Sequence, residues 1–287
     1  MPQCNFILIT PRARDRWESA AFSNISLASS LYSSQAESTP APSASDLNRL
    51  CCNSIHENFM LYCYICDKLS TSEEHVPPRS LFPESKDLPQ GIDLRKNLIT
   101  VPACDEHNLQ KSGEDEYLLF LLVGNIEVNS AGLKHWQTKI RRALRKRSSK
   151  YSLFKNPRPI RFLGIQTGAY EIDFERMSHH LDLIARGLYF HHIKKHWPYA
   201  IQLAIPFAIS VGSNAAQRYS QAMRETAVLA FGFLQNEPRL GDNPEVFYYQ
   251  YKLKDDGPGF IMRMVFYGGI EVAALSNPES NSKEEVV

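Results

Sequence analysis

Two pairs of metal-ligating side chains stand out in the sequence. Cys63-x2-Cys66 and Cys104-x2-His107 offer three thiols and an imidazole in closely spaced pairs, which is what a tetrahedral Zn²⁺ site requires. Closing the intervening chain around one ion would hold together a domain too small for a large core of its own. Cys51, Cys52 and His56 are further ligand types, but they belong to a low-complexity leader. Between the pairs runs Glu73-Glu74-His75-Val76-Pro77-Pro78, and the second pair continues as Asn108-Leu109-Gln110-Lys111. Taken singly, each of these has an ordinary reading: His75 as a structural histidine, Glu74 as a surface carboxylate, Asn97 as a turn or cap, Asp115 as a solvated helix charge.

Taken in order and spacing, Cys63-x2-Cys66, Glu74-His75-x2-Pro78, Asn97-Leu98 and Cys104-x2-His107-Asn108-x2-Lys111 resemble the HNH endonuclease family over the stretch from Tyr62 to Tyr117. The resemblance implies a ββα-metal finger, a β-hairpin packed on a helix and stabilised by zinc. It also implies hydrolysis of nucleic-acid phosphodiester bonds with a second, catalytic ion such as Mg²⁺. His107 stands where the family often has cysteine; imidazole serves zinc as well as thiolate does.

The residue types suit that chemistry. A phosphodiester repels the attacking oxygen with its own negative charge, so a cation on the phosphate and a base on the water are needed. His75 is suited to be the base, since an unperturbed imidazole with a pKa of about 6.5 is largely neutral at physiological pH. Glu74 and Asn108 offer hard oxygen ligands for the catalytic ion. The family pattern gives them that role and has Asn97 brace the loop that orients the histidine. If a helix starts near Cys104, then Asn108, Lys111 and Asp115 fall on one stripe, and Lys111 would reach the substrate phosphate. Glu74 and His75 are neighbours, which a regular strand points to opposite faces; Pro77-Pro78 signals that the strand ends there and relaxes the constraint. The expected partner is DNA. The rivals are an inactive zinc finger that only binds DNA and a protein-interaction module in which zinc merely stabilises the fold.

The elements that must position these residues give an α+β reading. Residues 1–57 are poor in large apolar side chains from Ser23 to Ser45 and read as a disordered leader. Residues 58–125 read as the HNH module, closing on the apolar run Tyr117–Leu122. Residues 126–160 read as a basic helical linker, with Trp136, Ile140 and Leu144 one helical turn apart among clustered cations. Arg141, Arg142 and Arg145 of that stretch are expected to contact DNA phosphates. Residues 161–275 read as a separate α+β domain. Its clearest feature is a C-terminal hairpin in which Val246–Leu253 and Phe260–Tyr267 flank Asp255-Asp256-Gly257-Pro258-Gly259. The histidines His179, His180, His191, His192 and His196 lack a metalloprotease pattern and read as structural. Residues 276–287 read as a disordered tail.

Composition excludes several classes. The 32 Lys plus Arg nearly balance the 31 Asp plus Glu among 287 residues, so attraction for a polyanion must come from local clustering. Six cysteines are too few for a disulfide scaffold in a chain of this length. No apolar stretch approaches the roughly 20 residues of a membrane helix, and a soluble protein of the reducing cytoplasm, without a membrane partner, is expected. Cutting both DNA strands with one site per chain would favour a homodimer.

Overall fold

The residues from Tyr117 to Val123 carry almost no polar surface, so a helix built from them must be covered on every side. The computed structural model describes residues 5–10, 62–108, 112–146, 155–162, 165–211 and 214–278, and in it each residue from Tyr117 to Val123 is at most 4% exposed. In chain order the elements are β1 (Asn5–Thr10), β2 (Ser72–His75), β3 (Thr100–Ala103), α1 (Asp105–Asn108) and α2 (Ser112–Val123). Then come α3 (Ser130–His135), a π-helical segment (Trp136–Ile140), α4 (Arg141–Lys146), β4 (Lys155–Phe162), β5 (Ile165–Ile172) and α5 (Phe174–Ile193). The chain ends with β6 (Gln202–Ala204), β7 (Ile209–Val211), α6 (Asn214–Leu234), β8 (Leu240–Asn243), β9 (Phe247–Leu253), β10 (Phe260–Phe266) and β11 (Ile270–Ser276).

The α+β class agrees with expectation. The strands form a two-stranded sheet, β2-β3, a four-stranded sheet in the order β4-β5-β1-β7, and a five-stranded sheet in the order β6-β11-β10-β9-β8. The aromatic and β-branched segments on either side of the Asp-Gly turn do pair, with Phe247 opposite Phe266 and Leu253 opposite Phe260. Alternation along β10 and β11 separates two faces. Met262, Met264, Val272 and Ala274 enter the main core, while Ala273, Ile261 and Leu275 face Ala227 and Ala230 of α6. Small side chains at that contact let the helix lie close to the sheet.

Three expectations about organisation are corrected. The segments read as an HNH module, a linker and a separate domain share one hydrophobic core running from Cys63 to Ala274, and all described residues belong to one compact unit. The stretch read as a linker is a packed part of it: Gly132, His135 and Ile140 are buried, and Asn129 caps α3 through Gly132 N–H at 3.1 Å. Within the stretch read as a leader, Asn5–Thr10 forms a strand between β5 and β7. Residues 11–57 of that leader, with Cys51, Cys52 and His56, and residues 279–287 of the tail lie outside the described residues. Among the described residues no helix is long and apolar enough to cross a membrane.

Two packing details fix how α5 and the helical Ser130–Lys146 region meet the rest. Gly187 in α5 leaves room for Val76, because a Cβ there would lie 2.6 Å from Val76 Cγ2 and 2.9 Å from Cγ1. Tyr267 is buried; its hydroxyl donates to Leu81 O at 2.5 Å and accepts from His135 Nδ1 at 3.2 Å. Burial, then the charges of Lys139 and Arg95, push the His135 pKa down to about 3.

Both details are testable. Glycine to alanine inside a helix ordinarily stabilises by about 0.8–1 kcal/mol, but forcing a methyl against β-branched Val76 costs about 1–3 kcal/mol. Gly187→Ala is expected to lower stability in denaturant unfolding, and Val76→Ala in the same chain to recover part of the loss; strictly additive effects would contradict the contact. For His135 the unfolded imidazole takes up a proton near pH 6.5 while the folded one resists until about 3. Its contribution is constant above the unfolded pKa and turns against folding as pH falls, by up to ~1.4 kcal/mol per pH unit. The stability gap between wild type and His135→Gln should therefore narrow between pH 7 and 4. Parallel pH curves would show that His135 is not held neutral.

Candidate metal centre and the adjoining pocket

The four metal-type ligands come from two backbone turns. Cys63 N–H donates to Lys68 O at 2.9 Å, folding this stretch into a knuckle, and Tyr64 N–H donates to Pro102 O at 2.9 Å, docking the knuckle on β3. Cys104 follows β3 directly, and its carbonyl accepts from the His107 and Asn108 N–H groups at 3.1 Å, so the first turn of α1 returns His107 to the thiols. Thr71 Oγ1 donates to Asp105 at 2.5 Å, and Lys68 pairs with Glu106; both bind the knuckle to α1.

The ligand atoms of Cys63, Cys66, Cys104 and His107 all lie within 4.8 Å of one another. His107 Nδ1 is 3.5 Å from Cys63 Sγ, 3.6 Å from Cys66 Sγ and 3.2 Å from Cys104 Sγ, and Cys66 Sγ is 3.9 Å from Cys104 Sγ. A tetrahedron with Zn–S of about 2.3 Å and Zn–N of about 2.0 Å has S···S edges of ~3.8 Å and S···N edges of ~3.5 Å. The observed edges match, so this group can hold a metal ion such as zinc. Burial opposes ionisation of Cys104, but the N–H groups of His107 and Glu106 and the neighbouring thiols together hold it below its ordinary value. Burial pushes the Cys66 thiol up.

Tyr64, between the first two cysteines, also lines a pocket together with Glu74, His75, Asp115 and His180. Glu74 and His75 pair with Val101 and Thr100 of β3, and the strand ends at His75, where Val76 N–H donates to Ile99 O at 2.9 Å. That termination lets two sequence neighbours line one cavity. Glu74 is buried and His75 half-buried. Burial, then the nearby Arg79 charge, lowers the His75 pKa, which keeps the ring neutral. Burial, then the Glu74 charge, raises Tyr64 well above the usual phenol value, with Asp115 contributing.

The remaining expected site residues separate. Asn108 Nδ2 donates to Ser72 Oγ at 2.6 Å; Ser72 stands two positions from Glu74, on the same face of β2. Asn97 is exposed with φ 48°, and its Nδ2 donates to Asp242 at 2.6 Å. It anchors its turn to β8 and makes no bond to His75. Arg142 is clamped by both carboxylate oxygens of Asp87 at 2.6 and 2.7 Å while its side chain stays exposed, and Lys139 Nζ donates to Ser80 O at 3.1 Å, so two of the clustered cations are tied to the loop between β2 and β3. Arg141 is exposed. Lys111 and the Arg145 side chain lie outside the described residues.

Two pocket residues come from beyond the short motifs. Asp115 sits on α2, and the stripe it was expected to share with Asn108 is the signal that points to it. His180 sits on α5 and was read as structural; nothing near it in sequence marks it. Of the other histidines, His192 bonds Tyr249 at 2.8 Å and stacks on Tyr251, and His196 lies 3.5 Å from Asp67.

Because the four ligands tie two distant segments together, the full-length protein is expected to carry one tightly held metal ion per chain. Elemental analysis of a Cys63→Ala, Cys104→Ala double variant should find it gone, with loss of folding free energy. Stoichiometric metal in that variant would rule the assignment out.

No protein-family model, curated protein or solved structure matches the chain, so the meaning of the site rests on its own residues.

Proposed function

We propose that this chain is a metal-dependent HNH-type endonuclease that hydrolyses phosphodiester bonds in DNA, with zinc in the Cys63–Cys66–Cys104–His107 group as its structural metal. The observation that carries this reading is that Glu74 and His75 line one pocket beside that group, in the order of the family motif. The β2-β3 pair followed by α1 supports a ββα finger.

His75 accepts the proton of the attacking water. It meets the requirement of a base that is neutral at working pH and reachable from a cavity. The new bond forms between the water oxygen and phosphorus while the water proton passes to the imidazole; the bond from phosphorus to the sugar oxygen breaks, and that oxygen takes the electron pair and a proton from solvent to leave as a hydroxyl. Glu74 and Asn108 are the residues that would hold a hard divalent ion, which supplies positive charge to the phosphoryl oxygens. With its Nδ2 given to Ser72, Asn108 retains a carbonyl oxygen as the ligand atom. Arg141, with Lys111 and Arg145, supplies nonspecific attraction for the DNA backbone.

His75→Ala is expected to leave DNA affinity nearly intact and to slow cleavage by at least the ~10²- to 10⁴-fold associated with general acid–base catalysis. Asn108→Ala should weaken metal use, so that excess Mg²⁺ or Mn²⁺ partly restores cutting. Folding of both variants is checked by circular dichroism and metal content, because Asn108 neighbours His107. Unchanged cleavage by folded His75→Ala protein would defeat the mechanism.

A further inference from the structure

Cations from three places in the chain converge on the short turn that follows the strand carrying His75. β2 ends at His75, Pro78 lines the pocket with it, and Arg79–Leu81 forms a 3₁₀ turn closed by Phe82 N–H to Arg79 O at 3.1 Å. Arg95 crosses back from further along the loop between β2 and β3, and its Nε donates to Phe82 O at 3.0 Å. Lys139 Nζ reaches the same turn from the π-helical segment and donates to Ser80 O at 3.1 Å. Arg79 itself is exposed, and its guanidinium makes no hydrogen bond or ion pair among the described residues. Of the nearby carboxylates, Glu84 pairs with Lys86 and lies 3.8 Å from Arg95, Asp93 accepts the Arg95 backbone N–H at 2.9 Å, and Asp87 is held by Arg142.

These positive charges are close enough to act on one another. Burial lowers the Arg95 pKa, and the Arg79 charge pushes the same way against Glu84; burial, then the Arg95 charge, lowers Lys139. Like charges gathered at one turn destabilise each other unless an anion lies among them. Arg95 and Lys139 each give a donor to a backbone carbonyl, whereas Arg79 keeps its fork of donors for a partner from outside. A guanidinium matches two phosphate oxygens at once and stays charged at any working pH. Taking the proposed reaction centre as the starting point, we infer that Arg79, backed by Arg95, holds a phosphate of the DNA backbone beside His75. Arg79 is the substrate contact, and Arg95 and Lys139 position its turn and add to its charge. Arg141, Lys111 and Arg145 draw the polyanion to the protein, and Arg79 sets one phosphate next to the base. Positive charge at that point also offsets the charge that builds on the phosphoryl oxygens as the water attacks.

The experiment is binding of a fluorescently labelled DNA duplex to the full-length protein, with its cysteine-rich site filled by zinc and no other divalent ion added. Anisotropy is read across a series of salt concentrations. Wild-type affinity is expected to fall linearly with salt on logarithmic axes. Arg79→Gln should reduce that slope by about 1 and weaken binding roughly tenfold near 0.1 M salt, the loss of one phosphate contact. Arg79→Lys keeps the charge and should keep the slope. Arg224→Gln, at an exposed position of α6, should change neither. Near-ultraviolet circular dichroism and retained zinc establish that each variant is folded. An unchanged slope and affinity in Arg79→Gln, the same loss in Arg79→Lys or Arg224→Gln, or no DNA binding by wild type would overturn the inference. Plasmid cleavage by the same proteins with added Mg²⁺ or Mn²⁺ separates the two readings. A slope reduced in Arg79→Gln while wild type fails to cut sinks the nuclease and supports the phosphate contact; cutting by wild type with unaltered DNA binding in Arg79→Gln does the reverse.

Discussion

The structure depends on one closure: four side chains from two distant segments brought within 4.8 Å of one another. The β2-β3 pair is only four residues long on each strand, and a two-stranded ribbon of that size is not stable in water by itself. The knuckle at Cys63–Lys68 and the helix turn at Cys104–Asn108 clamp its open end. The register that places Glu74 opposite Val101 and His75 opposite Thr100 is fixed from that end. A tetrahedral ion held there would convert four otherwise repelling or desolvated ligands into a cross-link, and its free energy of binding would become free energy of folding.

The pocket then forms where three elements meet the clamped ribbon. The end of β2 supplies Glu74 and His75, α2 supplies Asp115, and α5 supplies His180. The close approach of α5 is possible because Gly187 leaves space for Val76. Below, Tyr267 in the turn between β10 and β11 reaches Leu81 O, and Asn243 of β8 donates to Lys96 O at 2.8 Å, so the loop between β2 and β3 rests on one end of the five-stranded sheet. The C-terminal half is therefore part of the scaffold of the site as well as its neighbour.

What could be read from sequence follows from what is local. The ligand pairs carry their geometry in a three-residue spacing, and the C-terminal hairpin carries its own in alternation and turn chemistry. The His180–Glu114 contact joins residues 66 apart and the Arg142–Asp87 clamp joins residues 55 apart; no local pattern encodes either. Neither partner could therefore be assigned from sequence, although both residue types could be singled out. The boundaries between module, linker and domain were misread for a related reason. Clustered cations resemble a solvated linker until their carboxylate and carbonyl partners are seen. Asn97 shows the converse, since its type suited a brace, and the left-handed turn it occupies is bonded to Asp242. The strand Asn5–Thr10 has an apolar run in sequence, but its pairing with residues 168–172 lies across the whole chain.

The most direct test is incubation of the purified, zinc-replete full-length chain with supercoiled plasmid, with and without added Mg²⁺ or Mn²⁺. The expected result is relaxed circular DNA that accumulates with the divalent ion and stops on chelation. Plasmid that stays supercoiled under every metal condition, with protein shown to be folded and to hold its structural metal, would contradict the proposed function.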